Sequence, residues 1–347
     1  MVRGRIHGIA RYALELARRL PLLAPDWEFI GLTGPEGSLE VDDALRPSLQ
    51  LHRCPANYLS IAEQPALLIS LLRTSGDLFH ATSFSVPLLW RGALVVTLHD
   101  ANHLALPENY GIDRAAYYRM VVIPRVRTAK AVLTVSEFSR DELAKHLGLR
   151  PSRIEIACPG VDERYRPASP GKVEAFRKAR GLPGAYFAAV GNVKAHKNLA
   201  VLAPVAAELP APLVLLAGTG AKRKLGFPSS TVEIQALPEE QMPLFYAGAT
   251  ALLLPSRSEG FGLPALEAMA CGCPVIASDA GALPEIAGPA ALLVSPGIPA
   301  HWRDAATRVW SDRHLAQELI EHGFSRAAGF TWEACAKQVL AAYRRAL

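Results

Sequence analysis

Apolar, β-branched runs alternating with helical periods constrain this chain more than any other feature. In the first half they are "WEFIGLTG" (27–34), "LFHAT" (78–82), "ALVVTLHD" (93–100), "AVLTVSEF" (131–138) and "RIEIAC" (153–158). In the second half they are "YFAAVGN" (186–192), "PLVLLAGTG" (212–220), "TVEIQA" (231–236), "ALLLPS" (251–256), "PVIASD" (274–279) and "AALLV" (290–294). Helical stretches such as "RYALELARRL" (11–20), "SRDELAKHLG" (139–148) and "PALEAMACG" (264–272) fall between most of them. Strands that are apolar throughout, alternating with helices, belong to parallel sheets covered on both faces. Each half repeats the pattern, and 347 residues exceed what one core comfortably holds. The chain therefore reads as two doubly wound α/β domains.

The boundary lies in "PGVDERYRPASPGKVEAFRKARGL" (159–182), where prolines, glycines and charges interrupt the alternation. We place an N-terminal domain at 1–165, a C-terminal domain at 166–329, and a last amphipathic helix at 330–347. The opening departs from the pattern. A doubly wound domain begins on a central strand whose turn feeds the first helix. Here only Met1, Val2 and Arg3 precede Gly4 of the turn "GRIHGIARY". The expectation is a true start roughly ten to fifteen residues upstream, encoding one strand, and a gap or distorted pairing in the N-terminal sheet beside the strand near Trp27–Thr33.

Composition adds exclusions. Half the residues are hydrophobic and a fifth charged, which excludes disorder. The formal charge of +5 is too small an excess to identify a nucleic-acid binder, though it suits an anionic ligand. No run of about 18 apolar residues occurs, so no bilayer-spanning helix is predicted. Five scattered cysteines read as reduced thiols of a cytosolic protein. Cys271-Gly-Cys273 lacks a second pair or a nearby histidine, so no metal site is expected there.

The stretch "SRSEGFGLPALEAMACGCPVIASD" (256–279) places Glu259 just before a glycine-rich turn and Glu267 inside the following helix. Pro264 suits a first helical turn, where its missing N–H is unneeded. Helix N-termini attract phosphate, and Gly260 and Gly262 let the backbone approach a bulky ligand. Glu259 then stands at the C-terminal end of a parallel strand, where open α/β sheets bind ligands. Carboxylates beside a phosphate site accept hydrogen bonds from hydroxyls. Diphosphate at the helix end and hydroxyls on two glutamates describe a nucleotide sugar. From spacing alone, two helix-start carboxylates satisfying the dipole explain the pair equally well.

"EGFGLPALE" followed by "EAMACGCPVIASD" resembles the E-x7-E signature of retaining GT-B glycosyltransferases, the large family 4 ("group 1"). "GRIHGIARYALELARRL" is similar to the family's N-terminal glycine loop and first helix, with Gly8 in the turn. "DLFHATSFSVPL", "VVTLHDANHLALPENY" and "VLTVSEFSRDELAKHLG" resemble its N-domain landmarks, "VGNVKAHKNL" its diphosphate loop, and "FTWEACAKQVLAAYRRAL" the helix that crosses back onto the N-domain. The resemblance implies a GT-B fold, two Rossmann-like domains facing a cleft. It implies that Glu259 lies against the transferred sugar, that Glu267 holds the ribose, and that the amides of Phe261, Gly262 and Leu263 face sugar and diphosphate. Lys197 takes the position of the diphosphate lysine, beside Gly191. Many members carry an arginine after the loop glycine or before the lysine; those positions are Asn192 and His196 here, leaving Lys194 as a second cation. His99, in "TLHD", matches a histidine near the donor sugar, although a strand-end histidine is more often a packing group. His80 reads as structural.

The implied activity is a metal-independent retaining hexosyltransferase. Lys197 and helix amides would stabilise the departing diphosphate, and no Asp-x-Asp motif appears in the donor half. No cofactor is implied beyond the nucleotide diphosphate sugar as co-substrate. "GNVKAHKNL" and the short N-domain look most like mannosyltransferases of bacterial surface polysaccharide assembly. GDP-mannose is then the first donor, and a glycan or lipid-linked glycan the acceptor, at the inner face of the cytoplasmic membrane. The segment 113–130, with Arg114, Arg119, Arg125, Arg127 and Lys130, could rest on anionic lipid; a core-packed helix with a solvated basic face explains it equally. Two other readings stay open: a nucleotide-sugar epimerase on the same scaffold, and a non-catalytic sugar-nucleotide-binding subunit.

Overall fold

The computed structural model describes residues 8–34, 49–56, 60, 62–102 and 116–347. The chain divides into two compact units, Met1–Gly160 with Trp332–Leu347, and Val161–Thr331.

In the first unit α1 (Gly8–Leu23) buries Tyr12, Leu16 and Leu20 along one face, the spacing of successive helical turns. The C-terminal helix α8 (Trp332–Ala346) buries Trp332, Cys335, Ala336, Val339, Leu340 and Tyr343 at the same period. It packs that face on α1 and on strands β4 (Ala93–Thr97) and β5 (Ala131–Thr134). A parallel four-stranded sheet runs β3 (Leu78–Ala81), β4, β5, β6 (Ile154–Ile156). Helix α2 (Glu63–Thr74) precedes β3, and α3 (Glu137–Leu147) follows β5. The side chain of Ser136 accepts from the Ser139 amide at the start of α3, and Gly148 ends that helix at φ +64°.

Two further strands, β1 (Ile30–Thr33) and β2 (Gln50–Arg53), form a separate parallel pair. No ladder joins them to the four-stranded sheet among the described residues. The turn residues 4–7 lie outside the described residues, as does Arg114 of the basic segment. Sequence pattern gives no strand at 50–53. Its "QLHR" is mostly exposed, so it lacks the apolar run that marks a covered strand.

The second unit holds one parallel sheet in the order β12-β11-β10-β7-β8-β9. Its strands are β7 (Phe187–Val190), β8 (Leu213–Leu216), β9 (Val232–Ile234), β10 (Ala251–Leu254), β11 (Val275–Ser278) and β12 (Ala291–Val294). Every residue of β7, β10 and β11 is buried. Helices α4 (Pro170–Arg180), α5 (Leu263–Ala270), α6 (Pro299–Ser311) and α7 (Arg313–Ala328) belong to this unit. The chain runs outward from β7 to β9, then crosses over to β10 and runs outward to β12. The order therefore reverses between β7 and β10. That switch point is where open α/β sheets bind ligands, outside the carboxyl ends of the strands.

Candidate active site

Two loops flank the switch point. The one after β10 carries Pro255, Ser256 and Glu259 into α5. Gly262 stands just before the helix at φ +113°, where a Cβ would lie 2.7 Å from Leu283 Cδ2; only glycine fits both restraints. The backbone amides of Phe261, Gly262 and Leu263 have no acceptor among the described residues, as the first turn of a helix dictates. Pro264 lies in that turn. Gly281 backs the loop: at φ +65° its Cβ would lie 2.7 Å from the Glu259 nitrogen, and the Ala282 amide donates to Glu259 O at 3.1 Å.

The loop after β7 brings Lys197 to Glu259. Lys197 Nζ lies 2.7 Å from both Oε1 and Oε2, and Ser256 Oγ donates to Oε1 at 2.6 Å. The two side chains retain 19% and 10% exposure, so the pair is shielded yet reachable. The loops are also tied through backbone, the Arg257 amide donating to His196 O at 2.8 Å. Gly191 and Asn192 are exposed, and Asn192 Oδ1 accepts from the Lys194 amide at 3.1 Å. Burial holds the His196 imidazole below its ordinary range, the neighbouring Lys197 charge adds to this, and Glu259 opposes it. His196 is thus a neutral group at pH 7, and Lys194 and Lys197 are the cations of this loop.

Glu267 sits one turn into α5 and is buried. The hydroxyl of Tyr246, itself fully buried, donates to its Oε2 at 3.2 Å. Phe261 is buried and meets Phe330 edge-on. Glu259, Glu267, Lys197, Phe261, Gly262 and Leu263 therefore share one locale at the strand ends. A cationic amine and a row of free amides can bind diphosphate there, and two carboxylates can accept from hydroxyls.

His99 belongs to the first unit. It follows β4 by two residues, bonds through Nε2 to Thr82 O at 3.0 Å, and meets the Tyr12 ring edge-on at 4.8 Å. Burial lowers its pKa to about 4, so the ring is neutral with Nε2 donating. His80 is fully engaged: Nδ1 lies 2.6 Å from the Tyr343 hydroxyl and Nε2 2.8 Å from Thr97 Oγ1. Burial lowers it to about 3. Gly8 is the first residue of α1. In the basic segment, Arg125 donates to the carbonyls of Pro87 and Trp90, and Arg127 to that of Leu147. These two guanidiniums staple loops, while Arg119 and Met120 are exposed.

Sequence reasoning passed over Ser256, Tyr246 and Asn198. Ser256 stands three residues before Glu259, but its hydroxyl–carboxylate bond is made within a loop and has no sequence signature of its own. Tyr246 in "MPLFYAGA" carries no local signal, because its partner is 21 residues away.

Among known proteins, the profile of Glycosyltransferase Family 4 matches residues 6–165, and that of Glycosyl transferases group 1 matches residues 173–326. An O-antigen chain mannosyltransferase B of Escherichia coli is 28% identical over 390 aligned residues, covering 97% of this chain and 96% of its own. A D-inositol 3-phosphate glycosyltransferase of Corynebacterium urealyticum is 31% identical over 323 residues, 85% of this chain and 76% of its own. The solved structure of Anabaena Alr3699/HepE in complex with UDP and glucose superposes with a TM-score of 0.79 at 18% identity, covering 99% of this chain and 98% of that one. Two Rossmann-like α/β units with these structural neighbours define a glycosyltransferase of the GT-B fold. The chain belongs to glycosyltransferase family 4, the glycosyl transferases group 1.

Proposed function

We propose that the protein is a metal-independent retaining hexosyltransferase of bacterial surface polysaccharide assembly, with GDP-mannose as first donor. The observation that carries this reading is the Lys197–Glu259–Ser256 cluster on the loops at the sheet's switch point, its Glu259 and Ser256 in the same loop as the unpaired amides leading into α5. The likeness to an O-antigen chain mannosyltransferase over nearly the whole chain favours mannose and a lipid-linked glycan acceptor at the inner face of the cytoplasmic membrane. Among the described residues no helix is long and apolar enough to cross a membrane.

In this scheme the donor competes for both members of the ion pair. Lys197 turns to the diphosphate with the amides of Phe261, Gly262 and Leu263, and Glu259 turns to the sugar hydroxyls. Glu267, oriented by Tyr246, takes the ribose hydroxyls. The bond from the anomeric carbon to the diphosphate oxygen breaks, and the charge developing there is met by fixed donors. The acceptor oxygen bonds to the same face of that carbon, and its proton passes to a diphosphate oxygen. His99, neutral and fixed by Thr82, is assigned to the donor sugar. The test is thermal unfolding against a panel of nucleotide sugars. A true donor at a hundred times its dissociation constant adds about 2.7 kcal/mol, or roughly 5–10 °C for a domain of this size. A chain that responds to none of them is not a nucleotide-sugar enzyme. A product formed without any acceptor, as a free epimerised sugar, would instead assign an epimerase.

A further inference from the structure

We propose that Asn198 is a positioning residue that sets the Lys197 ammonium on Glu259, and through it on the donor diphosphate; the last step rests on the function proposed above. Asn198 directly follows Lys197 in left-handed backbone, φ +51° and ψ +24°. Ser75 is the other non-glycine residue with positive φ among the described residues. Such a conformation is strained for most residues and is best tolerated by glycine, asparagine and aspartate. In this conformation the Asn198 side chain reaches carbonyls at two strand ends, while the Lys197 side chain reaches the Glu259 carboxylate.

Asn198 Nδ2 donates to two carbonyls, Pro255 O at 3.0 Å and Pro296 O at 2.7 Å. Pro255 follows β10 directly and lies four residues before Glu259, whereas Pro296 follows β12 by two. One amide thereby ties the loop after β7 to the ends of two other strands. It is buried, and both of its N–H groups are used. A second tie lies on the other side of Lys197, the Arg257 amide donating to His196 O at 2.8 Å. Lys197 is thus clamped between two anchors on the segment that presents Glu259, which fixes the 2.7 Å contacts to both carboxylate oxygens.

The residue type follows from these demands. Glycine accepts the backbone but offers no side-chain donor. Aspartate accepts the backbone but points acceptors at two carbonyls. Serine brings a single donor and a strained φ. Asparagine meets all three requirements: left-handed tolerance, a short stem and two N–H groups on one atom.

The test is a double-mutant cycle on Lys197→Met and Glu259→Gln, read by urea unfolding, in the wild-type and Asn198→Gly backgrounds. In wild type the two substitutions should be non-additive by at least about fivefold in the folding equilibrium. In the Asn198→Gly background that coupling should fall below about twofold. A residue that only staples the fold would lower all four stabilities equally and leave the coupling intact, and that result overturns the proposal. Should the glycine variant not fold, Asn198→Ser carries the same cycle, and wild-type coupling in it is equally fatal. Binding of GDP and UDP supplies a separate arm. Asn198→Gly should weaken whichever nucleotide binds by about tenfold, and adding Lys197→Met should cost less than twofold more. If wild type binds neither nucleotide, the functional reading fails, while the unfolding cycle still decides the role of Asn198.

Discussion

Two buried histidines make the first unit acid-sensitive in a window that can be stated in advance. His80 and His99 are both neutral in the fold, burial lowering them to about 3 and about 4 from an ordinary 6.5. The unfolded chain therefore binds more protons than the fold does below pH 6.5, and stability must fall with acid. The stabilisation is fully present above about pH 6.5 and is lost as pH drops toward the folded values. Linkage from these pKa values gives about 2 kcal/mol lost per histidine between pH 7 and pH 5, or about 4 kcal/mol together. Burial is what keeps both rings neutral: the partners of His80, the Tyr343 and Thr97 hydroxyls, are uncharged and bring no carboxylate to offset an imidazolium. His99 is boxed between Thr82 O and the Tyr12 ring. Urea unfolding followed by circular dichroism at pH 7, 6 and 5 measures the slope. His80→Gln and His99→Gln should each flatten it by a similar amount, and the double variant should leave a clearly smaller slope, to which the half-buried His196 still contributes. An unchanged midpoint from pH 7 to 5, or the same slope in the double variant, would refute the reasoning.

Other consequences concern the switch point and the C-terminal helix. Glu267→Ala should weaken donor binding about tenfold or more with a smaller effect on turnover, whereas Glu259→Ala should mainly lower kcat, because its contact is to the reacting sugar; steady-state kinetics with varied donor separate the two. Gly281→Ala places a methyl against the Glu259 backbone at 2.7 Å in a left-handed conformation, and should cost about 1–3 kcal/mol of stability and reduce turnover more than the remote Gly184→Ala, where nothing lies within 4 Å. Tyr343→Phe leaves His80 Nδ1 unpaired and should destabilise the docking of α8 by about 1–3 kcal/mol in thermal unfolding; an effect under about 0.3 kcal/mol would deny that hydrogen bond a structural role.

How much of this was legible in the sequence depended on how local each signal is. The central strands of the second unit stood out because β7, β10 and β11 are buried along their whole length, and all but Ser278 at the end of β11 are apolar. β2 did not, since its "QLHR" is mostly exposed and, among the described residues, pairs with β1 alone. The basic segment reads as plain helix, yet Tyr118–Val122 is π-helical, with the Ile123 amide donating to Tyr118 O. Pro124 explains the change of register, since it offers no N–H to continue the i−4 ladder. Glu259, Glu267 and Lys197 were legible because a helix start, a strand end and a glycine-rich loop are short-range patterns. Asn198 and Tyr246 were not, because what they do depends on Pro296 and Glu267, residues brought near only by the completed sheet. The neutral state of His196 likewise follows from burial and the adjoining lysine, neither of which spacing reveals.

The most direct test of the central claim is sugar transfer itself in the presence of EDTA. Purified protein, GDP-mannose and a lipid-linked glycan acceptor are incubated with chelator, and the anomeric configuration of the product is read by NMR. The account predicts undiminished transfer with the donor's α configuration retained, and loss of at least about a hundredfold in Lys197→Met, as removal of a principal transition-state charge partner implies. Complete loss of transfer in chelator with recovery on adding magnesium or manganese, or a β-configured product, would contradict it.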